Sequence, residues 1–311
     1  NTPVIPALPS ASVPKCPRKM LLVSIFICGI RMESVMGRAI ESSCRLVSLT
    51  FKSGIVVALS IKSAKISYFA TSILLFVKTA FFIEPEGEKQ HVLVEAGTNG
   101  FACIFFTRDP FCVNGASVYD FSNDVSPLSL QGNFEKIMND NRKFFDNALS
   151  VRVMLNVKET VLVPQEYYHQ SSSAEMLSLL FGDDNNTSIF KDELSGQAAV
   201  NVYRTHHKLS GMLNRQFPAA PIQHSTTVQL NCFTAEDNTL HCIVYHHNLK
   251  IILYRNGKFQ LAQYFSYGTP DDAVYHLLGV CTQHEIPAEA VNLQLYGLID
   301  EKSNLYSEIH K

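Results

Sequence analysis

The sequence predicts an α/β protein built from a repeated β-β-β-α-β-α unit. Three observations predict it. Runs rich in Val, Ile, Phe and Tyr are separated by Asn-Gly and similar turn signals. Between them the apolar period changes from two to three-and-four. That order of segments then occurs twice after about residue 88. The 311 residues are 46% hydrophobic and 17% charged, with a formal net charge of -2. Such a composition excludes a disordered chain, a collagen-like chain and a polybasic nucleic-acid binder. Uninterrupted apolar runs all fall short of the roughly 18 residues that a spanning helix needs.

Taken in order, His91–Ala96 is the first strand and Phe101–Thr107 its return, with Gly97-Thr98-Asn99-Gly100 as a turn whose residues tolerate positive φ. Asn114-Gly115 marks a second turn before the strand Ala116–Phe121. Phe134, Ile137, Met138, Asn141, Phe145, Ala148 and Leu149 recur at three and four, which predicts an amphipathic helix over 131–149. Val151–Val157 and Glu159–Val163 are strands, and Ala174–Phe181 is a short helix before the acidic loop 182–188. In the second half, Ala198–Tyr203 is a strand and His206–Phe217 a helix. Three strands follow: Leu240–Tyr245, Lys250–Tyr254 and Lys258–Ser266. Thr269-Pro270-Asp271-Asp272 opens the next helix with a threonine cap, a proline at the first position and carboxylates facing the dipole. Val291–Ile299 is a strand, and Lys302–Ile309 begins a last helix. Two such units side by side are ribonuclease-H-like subdomains in an actin-like arrangement.

Residues 1–84 stand apart. They carry ten Lys/Arg against three Glu, with no Asp, His or Gln, whereas 85–311 carry 16 Lys/Arg, 25 Asp/Glu and all eleven His. Three readings compete for this extension. Lys15, Arg18 and Lys19 before the apolar run 21–30 have the order of a targeting signal, although no small-x-small cleavage pattern follows. Tyr68–Ile83 is a candidate membrane anchor, interrupted by Lys78. The third reading is a non-native translation, suggested by the opening Asn1 and the missing residue types. The expected domains are therefore a doubtful extension at 1–84, a first subdomain at 85–196 and a second, incomplete one at 197–311.

Cysteine usage predicts a cytoplasmic chain. The body holds five cysteines (Cys103, Cys112, Cys232, Cys242 and Cys281), an odd number with no C-x-x-C pair, so neither a disulfide framework nor a zinc knuckle is indicated.

The body resembles a bacterial family of unknown function with an actin-like ATPase fold. The stretches that carry the resemblance are Gly97-Thr98-Asn99-Gly100-Phe101, Leu162-Val163-Pro164-Gln165-Glu166, Tyr264 through Tyr275 (YFSYGTPDDAVY) and Leu295-Tyr296-Gly297-Leu298-Ile299, in order over about 88–311. The resemblance implies that residues 1–84 are foreign to the family and that the family continues beyond Lys311. It also brings Mg-ATP into consideration. Active members of the wider superfamily clamp phosphates between two acidic, glycine-containing hairpins. Here Glu95-Ala96-Gly97-Thr98 resembles the first loop, with Glu for Asp. The second holds Tyr245-His246-His247-Asn248, without glycine or acid. Glu95, Gly97 and Thr98 are the residues that would contact a nucleotide if one binds, and the missing second jaw predicts that none does.

No other pattern carries chemistry. His206-His207, His241, His246-His247 and His276 match no helical or finger spacing, and adjacent histidines on a strand point to opposite faces, so no metal is expected. Asp271-Asp272 is explained by helix capping. Walker A, G-x-S-x-G and G-x-G-x-x-G patterns do not occur in the body. The expected function is a degenerate actin-like protein without catalysis, a scaffold that binds another protein and no nucleic acid. Similar folds without the clamp serve as scaffolds in pilus-assembly and secretion platforms. The alternatives are a Mg-ATP-dependent ATPase or small-molecule kinase, and a membrane-attached scaffold using 21–30 or 66–83.

Overall fold

The structure is a computed structural model that describes residues 48–51, 54–57, 77–85, 87, 89–109, 111–121, 127–233 and 236–311. The targeting-signal candidate at 21–30 and residues 68–76 of the anchor candidate lie outside them. A short hairpin, β1 (Ser48–Phe51) and β2 (Gly54–Val57), precedes the body.

The first sheet contains β3 (Val77–Ile83), β4 (Gln90–Gly97), β5 (Gly100–Arg108), β6 (Phe111–Phe121), β7 (Ala148–Asn156) and β11 (Ile222–His224). Their order is β11-β7-β4-β5-β6-β3. β4, β5 and β6 form an antiparallel meander, while β7 runs parallel to β4 and β11 parallel to β7. The second sheet has β12 (Thr239–Val244), β13 (Asn248–Arg255), β14 (Lys258–Ser266) and β15 (Asn292–Gly297) in the order β14-β13-β12-β15, with β15 parallel to β12. Both sheets thus have a three-strand meander whose first strand takes a parallel fourth, which is the duplication that the segment order predicts.

β4, β5 and β12 are buried on both faces, so their side chains read as continuous apolar runs instead of alternating ones. One face of the first sheet packs Val92, Val94, Phe101 and Phe105 against α1 (Pro127–Asp140) and α4 (His207–Gln216). Its other face packs Leu93, Ile104 and Met154 against Ile243, Ile252 and Tyr254 of the second sheet, giving the two subdomains a shared core. Each such side chain contributes about 1.5–3 kcal/mol when fully buried. The outer face of the second sheet is covered by α6 (Pro270–Gln283) and α7 (Asn304–Ile309). At the start of α6 the Thr269 side chain accepts from Asp272 N while the Asp272 carboxylate accepts from Thr269 N, the reciprocal cap that the sequence predicts.

The structure departs from the sequence-based expectations at several places, and β11 and the helix Ser225–Cys232 after it were not expected at all. The helix expected over 131–149 ends at Asp140. A short helix α2 (Arg142–Asp146) follows, and Ala148 and Leu149 already belong to β7. Asn141 makes the break, its side chain reaching Tyr119 Oη and the Ile137 carbonyl, both at 2.8 Å. Asn114-Gly115 is a bulge inside β6 rather than a turn, because Phe105 pairs with Gly115 and Phe106 with Val113. A side chain at Gly115 would stand 2.5 Å from the Cα of Pro85, so the glycine admits that crossing segment.

The third departure lies between the halves. β8 (Thr160–Pro164), β9 (Thr187–Leu194) and β10 (Ala199–His206) form a separate three-stranded sheet, covered on one face by α3 (Ser173–Phe181). It is inserted between β7 and β11, so β10 does not open the second unit. β9 escapes sequence reading because Lys191, Asp192 and Glu193 interrupt its apolar pattern. The fourth concerns the anchor candidate. Val77–Ile83 is the edge strand β3, paired antiparallel with β6. No helix among the described residues is long and apolar enough to cross a membrane.

Candidate functional site

The two meanders meet at a cleft. On one side is the β4–β5 turn, Thr98-Asn99, and on the other is the β12–β13 turn, Tyr245-His246-His247. The glycines of the first turn serve close approach rather than positive φ, since neither Gly97 nor Gly100 adopts it. A Cβ on Gly97 would stand 2.5 Å from the Asn156 carbonyl oxygen, and one on Gly100 would stand 2.8 Å from that of Tyr119. Gly97→Ala is therefore expected to overpack the β4–β7 ladder and lose about 1–3 kcal/mol in urea denaturation. The left-handed turn chemistry occurs instead at Asn256-Gly257, between β13 and β14, with φ of 52° and 67°.

Beneath the turns lies a buried polar floor. Glu95, 5% exposed, accepts through Oε1 from Asn156 Nδ2 at 2.5 Å, and Tyr264 Oη donates to Asn156 Oδ1 at 2.7 Å. Lys250 Nζ donates to Ser225 Oγ at 2.7 Å and Gln229 Oε1 at 2.9 Å, and lies 4.6 Å over the Tyr264 ring. Ser225 and Gln229 come from α5 (Ser225–Cys232), the helix that leads from β11 into the second sheet. Burial raises the Glu95 carboxyl above its ordinary range, opposed by the Lys250 charge and by hydrogen bonding from Asn156 and Tyr245. Burial likewise pushes Lys250 down to about 7, with Glu95 opposing.

Beside the floor, His224 is fully buried at the junction of β11 and α5. Its Nδ1 accepts from Thr226 N at 3.0 Å, which places the proton on Nε2, and Nε2 donates to the Val157 carbonyl at 2.9 Å. Burial first, and the Lys250 charge second, push this imidazole down to about 3.

Of the residues named from sequence, Gly97 and Thr98 lie on the lip of the cleft and Glu95 at its floor. The Thr98 hydroxyl is exposed and donates to Asn99 Oδ1 at 3.2 Å. Asp120, Asn156, Lys158, Lys250 and Tyr264 were not singled out by sequence reasoning. The one available signal was a charge, Lys250, inside the apolar run Leu249–Tyr254. Most histidines have local duties. His206 caps α4, His241 stacks on Phe233 at 4.1 Å, and His276 bonds the Ser266 carbonyl at 3.0 Å. His246 and His247 differ. They lie in a turn, not on a strand, and both line the cleft with Asp120. The cleft encloses about 100 Å³, well below the roughly 300–1,000 Å³ of small-molecule sites.

Comparison with known proteins places this geometry. The model of a family described as "Protein of unknown function (DUF3822)" matches residues 82–311. A protein of unknown function with an actin-like ATPase fold from Bacteroides thetaiotaomicron is similar in structure, with a TM-score of 0.60 and 20% identity over 71% of this chain and 87% of that one. A PilM-PilN type IV pilus biogenesis complex aligns with a TM-score of 0.40 and 12% identity, over 72% of this chain and 90% of the other. The ethanolamine utilization protein EutJ from Carboxydothermus hydrogenoformans aligns with a TM-score of 0.30 and 10% identity, over 67% and 61%. No curated protein sequence matches the chain. The architecture is the actin-like ATPase fold.

Proposed function

The chain belongs to the DUF3822 family of proteins of unknown function, and from that premise we propose that it is a cytoplasmic scaffold: it keeps the actin-like frame, turns over no nucleotide and binds another protein. The observation that carries this reading is the occupied floor of the cleft. The carboxylate nearest in position to a phosphate-clamp acid, Glu95, is held by Asn156 and faces the buried Lys250. The opposite turn offers two imidazoles where a clamp needs a glycine and an acid. An exposed apolar ridge supports the binding role. Leu179, 86% exposed, with Leu180 and Phe181, ends α3. Ile189 lies at the same end, because it pairs with Arg204, whose Nη2 donates to the Gly182 carbonyl at 2.7 Å. Cys103, Cys242 and Cys281 carry free thiols, whereas Cys112 is disulfide-bonded, which departs from the sequence-based expectation that no disulfide is indicated.

The test is Mg-ATP binding by calorimetry and thermal shift. Neither heat nor stabilisation at millimolar nucleotide is expected. A stabilisation of about 2.7 kcal/mol at a hundredfold excess over Kd, lost in Thr98→Ala, would overturn the reading in favour of an ATPase or kinase acting through Glu95, Gly97 and Thr98.

A further inference from the structure

We propose that Asp120, His246 and His247 form a binding site for a divalent transition-metal cation of the zinc class, which clasps the two subdomains together at the rim of the cleft. One ligand atom from each of the three lies within 4.8 Å of the others. His246 Nε2 is already 3.3 Å from Asp120 Oδ2. A tetrahedral ion with ligands at about 2.0–2.1 Å spaces them about 3.3–3.5 Å apart. One edge of the site is thus formed, and the others close by rotation of the imidazoles.

The supports are rigid on both sides. Asp120 lies at the end of β6 and is paired on both sides, with Gly100 of β5 and Lys78 of β3, and its side chain is 12% exposed. The histidine turn is held from behind. Tyr267 Oη donates to the Tyr245 carbonyl at 2.8 Å, Tyr267 N donates to that of His247 at 3.2 Å, and Tyr245 N bonds the Asn248 carbonyl at 2.8 Å. The two rings cross at 85° with centroids 4.3 Å apart, and one nitrogen of each lies within 4.8 Å of the other. A simple Asp120–His246 contact would not require His247. The ring nitrogens of His247 have no hydrogen-bond partner among the described residues, and the second imidazole is what makes the pair a chelate.

Two imidazole nitrogens and one carboxylate oxygen suit zinc and its late first-row neighbours better than magnesium, which prefers oxygen ligands. Three protein ligands leave a coordination position free, and because all three residues line the cleft that position faces into it. An anionic or hydroxyl group of whatever enters the cleft would complete the sphere. The site does not depend on the scaffold reading, since a metal clasp serves a scaffold and an enzyme equally.

The experiment is titration of the chelator-treated full chain with Zn²⁺ by calorimetry, with Co²⁺ as a spectroscopic probe. One equivalent of tight binding is expected, with tetrahedral visible bands for Co²⁺ and a Tm raised by roughly 5–10 °C at a hundredfold excess over Kd. His246→Ala, His247→Ala and Asp120→Asn should each weaken Zn²⁺ binding at least about 100-fold, since even outer-shell changes cost about 10–100-fold. Their Tm in chelator should match that of the parent, which separates lost binding from lost folding. Failure of the parent to take up one equivalent, or uptake unchanged in all three variants, overturns the site. Neither result bears on Mg-ATP, so it leaves the scaffold reading standing.

Discussion

Lys250→Ala is expected to cost about 3–5 kcal/mol of unfolding free energy in urea denaturation, the range for a large buried side chain cut to alanine with buried polar partners left unpaired. Native domains have about 5–15 kcal/mol in total, so this variant should be near the edge of folding at 25 °C. The loss has several sources. Ser225 Oγ and Gln229 Oε1 lose the donor that ties α5 to β13. Glu95 loses the cation that lowers its carboxyl, the Tyr264 ring loses the Nζ that lies 4.6 Å over it, and removal of the buried stem leaves a cavity. Lys250→Met separates these effects. It keeps the stem and removes the amine, so it should cost less than the alanine variant. Adding Glu95→Gln to Lys250→Met should cost less than the sum of the single changes, with a coupling of about 0.5–3 kcal/mol. Additive losses would show that the floor is not one network.

Acid should destabilise the fold through His224, beginning near neutral pH. Its imidazole titrates near 6.5 when unfolded and near 3 when folded, so between those values the unfolded state binds a proton that the native state refuses. Stability from this group is intact above about pH 6.5 and falls by about 1.4 kcal/mol per pH unit below it, approaching 4–5 kcal/mol at pH 3. Lys250 acts with the same sign in a higher window, removing stability as pH falls from 10.5 to about 7. Glu95 and Asp192 act oppositely, because burial raises both carboxyls and their protonation favours the folded state at low pH. The check is urea denaturation from pH 7.5 to 4 on the parent and on His224→Asn, which keeps an acceptor for Thr226 N. The variant should be less stable at pH 7.5 and lose stability with a slope shallower by one proton. An unchanged slope would mean that His224 is not the titrating group.

Why His224 and Lys250 were not legible as a unit follows from where their partners come from. The floor joins β4, β7, α5, β13 and β14, and its bonds span up to 108 residues, as from Asn156 to Tyr264. A lone lysine in Leu249–Tyr254 signals a buried cation, yet nothing local says which carboxyl faces it. The same holds for Asp120, which reads as an ordinary strand residue until β6 is laid beside the histidine turn. The adjacent His246 and His247 were visible, but strand geometry would have sent them to opposite faces. Because β12 ends at Val244 and β13 begins at Asn248, the turn releases them from that rule.

By itself the sequence determined the features that depend on short range. These are the hairpin meanders, the capped helix at Thr269, the duplicated order of segments, and the absence of a second glycine-and-acid jaw. Each follows from side-chain period, turn chemistry or local hydrogen bonding within a few residues. Tertiary structure alone decided the rest. It set the three-stranded sheet between β7 and β11, drew Val77–Ile83 in as the edge of the first sheet, and gave Gly97 and Gly100 their packing role. It also decided the burial of Glu95 against Lys250. The physical reason is common to all of them: strand partnership, close backbone approach and desolvation depend on what the rest of the chain brings alongside, and no local pattern encodes that.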